Sequence, residues 1–214
     1  MKKKKLVIID PGHGGIDPET CRYMTGKRKR FRHEGELFSH GGQNDSDFLE
    51  GVWNRQLAIR ISNWLIWHKI EFVFTVPFEN GNWHQDTGLM KRIKWANEVA
   101  KDYDCVYVSI HANAYNTKVR GWETHTHKSS KIGRWMSASL TKYAKKEGVF
   151  DIIPQRSNKH SPRLAVIKHT KMPAILVEHG FFDNLEDAKA LNSIELQDKM
   201  AIACGRMLMD WSKI

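Results

Sequence analysis

The chain is expected to be an α/β domain, with a twisted, mostly parallel or mixed sheet of about six strands covered by helices on both faces. Three observations predict it. Short apolar, β-branched runs alternate with segments of helical period along nearly the whole sequence. The runs stop at sharp punctuation, as Leu6 to Ile9 does at Asp10, Pro11 and Gly12, which is how a buried strand feeds a turn. The 214 residues, 41% of them hydrophobic, suffice for one core that buries roughly 70% of the unfolded surface, so a single domain over 1–214 is expected.

Taken in order, Leu6 to Ile9 is the first strand and leaves His13 at its C-terminal end. Trp53, Leu57, Ile61, Trp64 and Leu65 form a helical stripe, and Glu71 to Val76 reads as a strand stopped by Pro77. Leu89, Ile93, Ala96 and Val99 mark a second helix, followed by a strand from Cys105 to Ile110 with His111 at its end. Gly121 to Thr126 reads as a strand and Ile132 to Ala144 as an amphipathic helix. Leu164 to Ile167 and Ala174 to Val177 then read as two more strands, and Glu178 follows the second. Leu196, Met200, Ala203, Met207, Leu208 and Trp211 are spaced for a closing helix with one buried face. Residues 16–49, rich in Gly, Asp, Arg and Lys, carry no period and read as an inserted basic loop rather than a domain boundary.

Charge and cysteine usage exclude several classes. The balance of 34 Lys plus Arg against 24 Asp plus Glu, a net +10, favours polyanionic surroundings, and the run Lys27 to Arg32 is the main candidate contact, with Lys2 to Lys5 beside it. No apolar run approaches the roughly 20 residues of a membrane span, and Lys2 to Lys5 lead straight into LVIIDPGHGG, so no signal peptide is expected. Cys21, Cys105 and Cys204 form no CxxC pair, against a disulfide framework or a zinc finger.

Chemistry is expected where the C-terminal ends of the strands meet loops and helix starts. His13, His111 and Glu178 each follow a separate strand, and Glu50 stands just before the helix that begins near Val52. Two imidazoles and two carboxylates are enough for a catalytic zinc site, which takes three protein ligands, with one carboxylate left for proton transfer.

Four ordered blocks then resemble one family. IDPGHGG at Ile9 to Gly15, EGVWNRQLA at Glu50 to Ala58, SIHANA at Ser109 to Ala114 and MPAILVEHGFFDN at Met172 to Asn184 resemble the zinc-dependent N-acetylmuramoyl-L-alanine amidases of the Amidase_3 family, peptidoglycan hydrolases with endolysin-like members. Leu89, Arg92, Ala96 and Asn97 fit the helix before SIHANA. The resemblance implies that His13, Glu50 and His111 bind Zn2+, that Glu178 is the catalytic acid/base, and that peptidoglycan is cut between the lactyl group of N-acetylmuramic acid and L-alanine. Asn113, inside SIHANA, is a candidate substrate contact. A monomer made in the cytoplasm and acting on the cell wall after release or export is expected, with Lys27 to Arg32 touching anionic wall polymer or a membrane surface and no nucleic acid bound.

The family's liganding glutamate usually lies nearer the first histidine than Glu50 lies to His13. The insertion accounts for the gap, and it brings Glu19, Glu34, Glu36, His33 and His40 into contention; Asn54 and the Leu57-Ala58 pair favour Glu50 by register. His125 and His127, two apart on a strand, share a face and read as exposed strand residues more readily than as ligands. His179 is expected to point away from Glu178 in a supporting role, and Trp83 and Trp122, outside the helices, are candidates for stacking on sugar. The competing readings are a zinc carboxypeptidase or other wall peptidase, a non-catalytic polyanion-binding module, and a cysteine hydrolase built on Cys21.

Overall fold

The computed structural model describes residues 3–31, 47–76 and 83–214. In chain order the strands are β1 (Lys4–Pro11), β2 (Arg28–Arg30), β3 (Asp47–Leu49), β4 (Phe72–Phe74), β5 (Tyr103–Asn113), β6 (Trp122–Thr126), β7 (Gln155–His160) and β8 (Ala174–Phe181). The helices are α1 (Glu50–Trp67), α2 (Leu89–Val99), α3 (Lys131–Lys146), α4 (Ala165–His169), α5 (Leu185–Leu191) and α6 (Ile194–Ser212).

Six strands form one sheet in the order β4-β1-β5-β8-β6-β7. The pairs β4–β1, β1–β5, β5–β8 and β6–β7 are parallel and β8–β6 is antiparallel, so the sheet is mixed and mostly parallel. Strands β2 and β3 make a separate antiparallel pair leading into α1.

The central strands are apolar on both sides because both sides are covered. Val7, Ile9, Val108, Ile110, Ile175 and Val177 meet one face, packed by Trp53 and Leu57 of α1, Met136 and Leu140 of α3, and Met200 and Met207 of α6. Leu6, Ile8, Tyr107 and Leu176 meet the other, packed by Ile93 and Ala96 of α2 and Val166 and Ile167 of α4. This alternation decides the site: Asp10, His111 and Glu178 continue the second set in steps of two, and so emerge on the α2/α4 side of the sheet. At the crossing of α6 and α1, a Cβ on Gly205 would lie 2.2 Å from the Trp64 ring, so only glycine allows this approach.

Two expectations are corrected. Leu164 to Ile167 is not a strand: Ala165 opens α4, whose Val166 and Ile167 enter the core, because a four-residue apolar run suits one buried helical turn as well as a strand. The sixth strand of the sheet is instead β7, whose QRSNKH contains no apolar residue and sits at the sheet edge. The expected second strand is confined to Phe72–Phe74. None of the described helices is long and apolar enough to cross a membrane.

Candidate active site

β1 runs out at Pro11 into a turn that is tight for two separate reasons. A Cβ on Gly12 would lie 2.1 Å from Cε1 of His111, so the His111 ring rests directly on the Gly12 backbone. His13 has φ of 64°, a conformation that L side chains rarely adopt, and it persists because its surroundings over-determine it. Asn54 Nδ2 donates to the Gly12 carbonyl at 2.9 Å. Arg55 Nη1 donates to the carbonyls of His13 at 2.6 Å and Gly51 at 2.9 Å, while its Nε donates to Trp83 O at 2.6 Å. The start of α1 abuts the same turn, since a Cβ on Gly51 would lie 1.8 Å from Gly14 O.

This packing delivers the Glu50 carboxylate, buried at 3% exposure, between two imidazoles. Oε2 of Glu50 lies 3.4 Å from His13 Nε2 and Oε1 lies 3.0 Å from His111 Nδ1. The two rings meet edge to face with centroids 5.1 Å apart. One ligand atom from each of His13, Glu50 and His111 lies within 4.8 Å of the others, and these three are the only such group among the described residues. Burial holds the His13 imidazole below its ordinary pKa, against the pull of Glu50. Burial also acts to lower His111, but the hydrogen bond and charge of Glu50, with Glu178 and Asp10 behind it, carry that ring upward overall.

Glu178 stands on β8 as the register partner of His111 on β5. Burial pushes its carboxyl up to about 7; His111 opposes the rise, while Glu50 and Glu123 add to it. Its Oε2 is buried and has no hydrogen-bond partner among the described residues. Together with both histidines it lines a cavity of about 440 Å³ between α2 and α4. All four residues singled out from the sequence therefore converge, Glu50 through its contacts with the imidazoles and Glu178 across the cavity. A nitrogen, oxygen, nitrogen donor set of this kind, with one neutral imidazole and a buried carboxylate, suits a divalent transition metal.

Sequence reasoning missed the brace beneath the site. Asp10, fully buried, accepts from Thr75 Oγ1 at 2.6 Å and Ser109 Oγ at 2.7 Å, and pairs with Arg92 Nε at 2.8 Å. Burial alone would raise its pKa; Arg92 and the two hydroxyls outweigh that and hold it below the usual carboxylate range. The ends of β1 and β5 and the residue after β4 are thereby tied to α2. The signal was present as the Asp of IDPGHGG and the Ser of SIHANA, but nothing in one dimension pairs them.

The other candidates separate clearly. His179 lies on the opposite face from Glu178, with its Nδ1 donating to His111 O at 3.2 Å and its ring 4.5 Å from Trp122 and 5.4 Å from Trp53. Burial drives its pKa down to about 3, so it is a neutral prop under the His111 backbone. Trp122 and Trp83 are buried, at 0% and 7% exposure, which removes both as sugar-stacking surfaces. His125 is not an exposed strand residue either: its side chain is 11% exposed and its Nδ1 lies 2.7 Å from Ser161 Oγ. His127 bonds locally to Ser129 Oγ at 2.6 Å.

Asn113 Nδ2 reaches Glu123 Oε2 at 3.4 Å and lines a second cavity beside the centre. Glu19 and Cys21 are exposed and outside the three-ligand group, and His33, Glu34, Glu36 and His40 lie outside the described residues. Of the basic run, Arg30 donates to both carboxylate oxygens of the buried Asp47, at 2.7 and 3.0 Å, with Arg28 4.0 Å away. Part of that charge is neutralised internally; Arg32 lies outside the described residues.

Fold and site define a class: an α/β domain carrying a His-Glu-His centre and a half-buried carboxylate at the C-terminal ends of its parallel strands. The family model described as N-acetylmuramoyl-L-alanine amidase, Amidase_3, matches residues 7–209, and the chain belongs to that family. It is 27% identical over 190 residues to the N-acetylmuramoyl-L-alanine amidase CwlM of Bacillus licheniformis, covering 87% of this chain and 60% of that one. It is 28% identical over 194 residues to the endolysin of Bacillus phage SPP1, covering 87% and 58%. Among solved structures, the amidase AmiC2 of Nostoc punctiforme superposes with a TM-score of 0.70 at 25% identity, over 100% of both chains. The chain spans between about a third and three fifths of the length of the curated relatives it matches.

Proposed function

We propose that this chain is a zinc-dependent peptidoglycan amidase, hydrolysing the amide between the lactyl group of N-acetylmuramic acid and L-alanine. The observation that carries the reading is the convergence of His13, Glu50 and His111 beside Glu178, a half-buried carboxylate whose buried Oε2 has no hydrogen-bond partner among the described residues, in a chain of the amidase family. His13, Glu50 and His111 are the zinc ligands. Bound there, zinc supplies Lewis acidity to the water and to the scissile carbonyl.

The protein's own part is proton transfer and positioning. Glu178, with a carboxyl pKa near 7, accepts a proton from the attacking water and returns it to the leaving nitrogen, both of which need a group poised close to the working pH. Gly12 and His179 hold the His111 ring and backbone, Asn54 and Arg55 hold the His13 turn, and Asn113 contacts substrate at the edge of the neighbouring cavity. The protein acts outside the cytoplasm as a monomer, and Lys27 to Arg32 attract anionic wall polymer or a membrane surface in a salt-sensitive way.

Digestion of purified sacculi tests the reading. Release of peptides with free L-alanine N-termini, leaving muramic acid intact, is the expected result. New reducing sugar ends, or loss of C-terminal residues from the stem peptide as a zinc carboxypeptidase would give, overturn it. If Glu178→Ala lyses walls as fast as the parent while binding them equally well, the catalytic role of Glu178 falls. Loss of lysis with binding intact separates the enzyme from a polyanion-binding module.

A further inference from the structure

Beside the centre, the character of the sheet changes. α4 packs over β8, but on the same side β6 and β7 present Glu123, His125, Ser157 and Lys159 in place of an apolar stripe. Glu123 is the register partner of Glu178 across the β6–β8 ladder, one strand spacing away. It is 2% exposed and gathers three donors from the two strands β7 and β5: Lys159 Nζ at 2.7 Å, Arg156 Nε at 2.8 Å and Asn113 Nδ2 at 3.4 Å. His125 Nε2 stands 3.8 Å off, with burial holding that imidazole below its ordinary pKa.

The charges do not cancel. One buried carboxylate faces a guanidinium and an ammonium whose side chains remain 42% and 44% exposed, so the ledge carries a net positive charge toward solvent. Arg156 lies over the Phe181 ring, 5.6 Å from its centroid, which fixes the plane of its fork. With Asn113, Tyr115 and Phe181 the two cations line a cavity of about 260 Å³.

We infer that this ledge is a specificity subsite for a free carboxylate on the stem peptide, with Lys159 and Arg156 as its specificity-determining residues; the inference rests on the amidase reading above. A rigid guanidinium beside an ammonium is the donor set that recognises a carboxylate. The N-acetylated sugars of the glycan are neutral, so the ledge selects for the peptide side of the scissile bond. Glu123 stands one strand spacing, about 5 Å, from Glu178, and both cations reach back to within 2.8 Å of its carboxylate, so they come level with the second stem residue of an extended peptide that rises about 3.3 Å per residue. Glu123 is the internal counter-charge: it aims both cations at one place while neutralising only one.

The experiment compares two muramoyl-tripeptides that differ only in whether the second stem residue bears a free α-carboxylate or a carboxamide. The parent chain is expected to favour the carboxylate by about tenfold in kcat/KM, chiefly through KM, with the preference shrinking in high salt. Lys159→Gln brings the two substrates together, Arg156→Gln narrows the gap, and Lys159→Arg restores it. Equal kcat/KM in the parent, or a preference that survives Lys159→Gln, overturns the subsite. The same pair is titrated calorimetrically against Glu178→Gln, where binding is read without turnover. Differential binding there with no hydrolysis by the parent sinks the amidase reading and keeps the ledge; hydrolysis without differential binding does the reverse.

Discussion

Gly12→Ala adds a single methyl group where the chain has no room for it. The new Cβ would stand 2.1, 2.5 and 2.7 Å from three atoms of the His111 ring, against an ordinary carbon contact of about 3.5 Å, so the ring must retreat by more than an ångström. Backbone conformation offers no competing explanation, because Gly12 is not among the glycines with positive φ. Nor can the ring yield freely, held as it is by Glu50 at 3.0 Å and by the edge of His13. Metal and catalytic constellations tolerate errors of roughly 0.5 Å. The expected outcome is a loss of ~10- to 100-fold in zinc affinity and about 100-fold or more in wall lysis. Overpacking should cost the metal-free protein about 1–3 kcal/mol. Competition against a chromophoric chelator gives the first quantity, turbidity loss of sacculi the second, and urea unfolding the third. Zinc affinity and lysis both within twofold of the parent would refute the claim that Gly12 seats the His111 ring.

Three further outcomes are expected. Glu178→Gln lowers lysis by about 10²- to 10⁴-fold, yet stabilises the metal-free protein at high pH. The folded carboxyl is raised to about 7, so its contribution to stability is complete below its ordinary value of 4.5 and is lost as pH rises through 7. Urea unfolding should show parent and variant diverging between those limits, and an offset independent of pH contradicts this. Asp10→Asn leaves Arg92, 5% exposed, without its counter-charge and costs about 3–5 kcal/mol at neutral pH. The Asp10 carboxyl is held below its ordinary value, so its contribution is present above about pH 4 and fades as pH falls; in urea titrations the gap between parent and variant should therefore be smaller at pH 3 than at pH 7, and a gap that widens in acid contradicts this. Gly205→Ala, 2.2 Å from the Trp64 ring, costs about 1–3 kcal/mol in the same assay while zinc affinity stays at the parent value; a matching fall in affinity would mean that the Gly12→Ala effect is not local.

Legibility in the sequence followed burial. β1, β5 and β8 are covered on both sides, so Leu6 to Ile9, Cys105 to Ile110 and Ala174 to Val177 announce themselves as unbroken apolar runs, and the stripes of α1, α2, α3 and α6 are equally plain. β7 is an edge strand of polar residues held by its ladder to β6, and a ladder leaves no trace in hydropathy. Trp122 and Trp83 show that lying outside a helix does not make a residue exposed: one packs on His179, the other against Phe74. For the site, turn and strand-end positions pointed to His13, His111 and Glu178, and the register of Asn54 separated Glu50 from the other candidates. What could not be read was anything whose meaning is a partner far along the chain. Asp10 needs Arg92 and Ser109 to make sense, and Glu123 needs Arg156 and Lys159.

The first turn of α1 has no side-chain cap of its own. Its leading amides are satisfied from the preceding excursion instead: Glu50 N–H donates to Lys27 O at 3.0 Å, Gly51 N–H to Tyr23 Oη at 2.8 Å, and Arg28 is paired with Leu49 in the β2–β3 ladder. The cationic stretch and the carboxylate between the histidines thus share one mechanical frame. The placing of the Glu50 carboxylate therefore depends on a splint supplied from outside its own helix, so residues remote from both histidines are part of the scaffold that aims it.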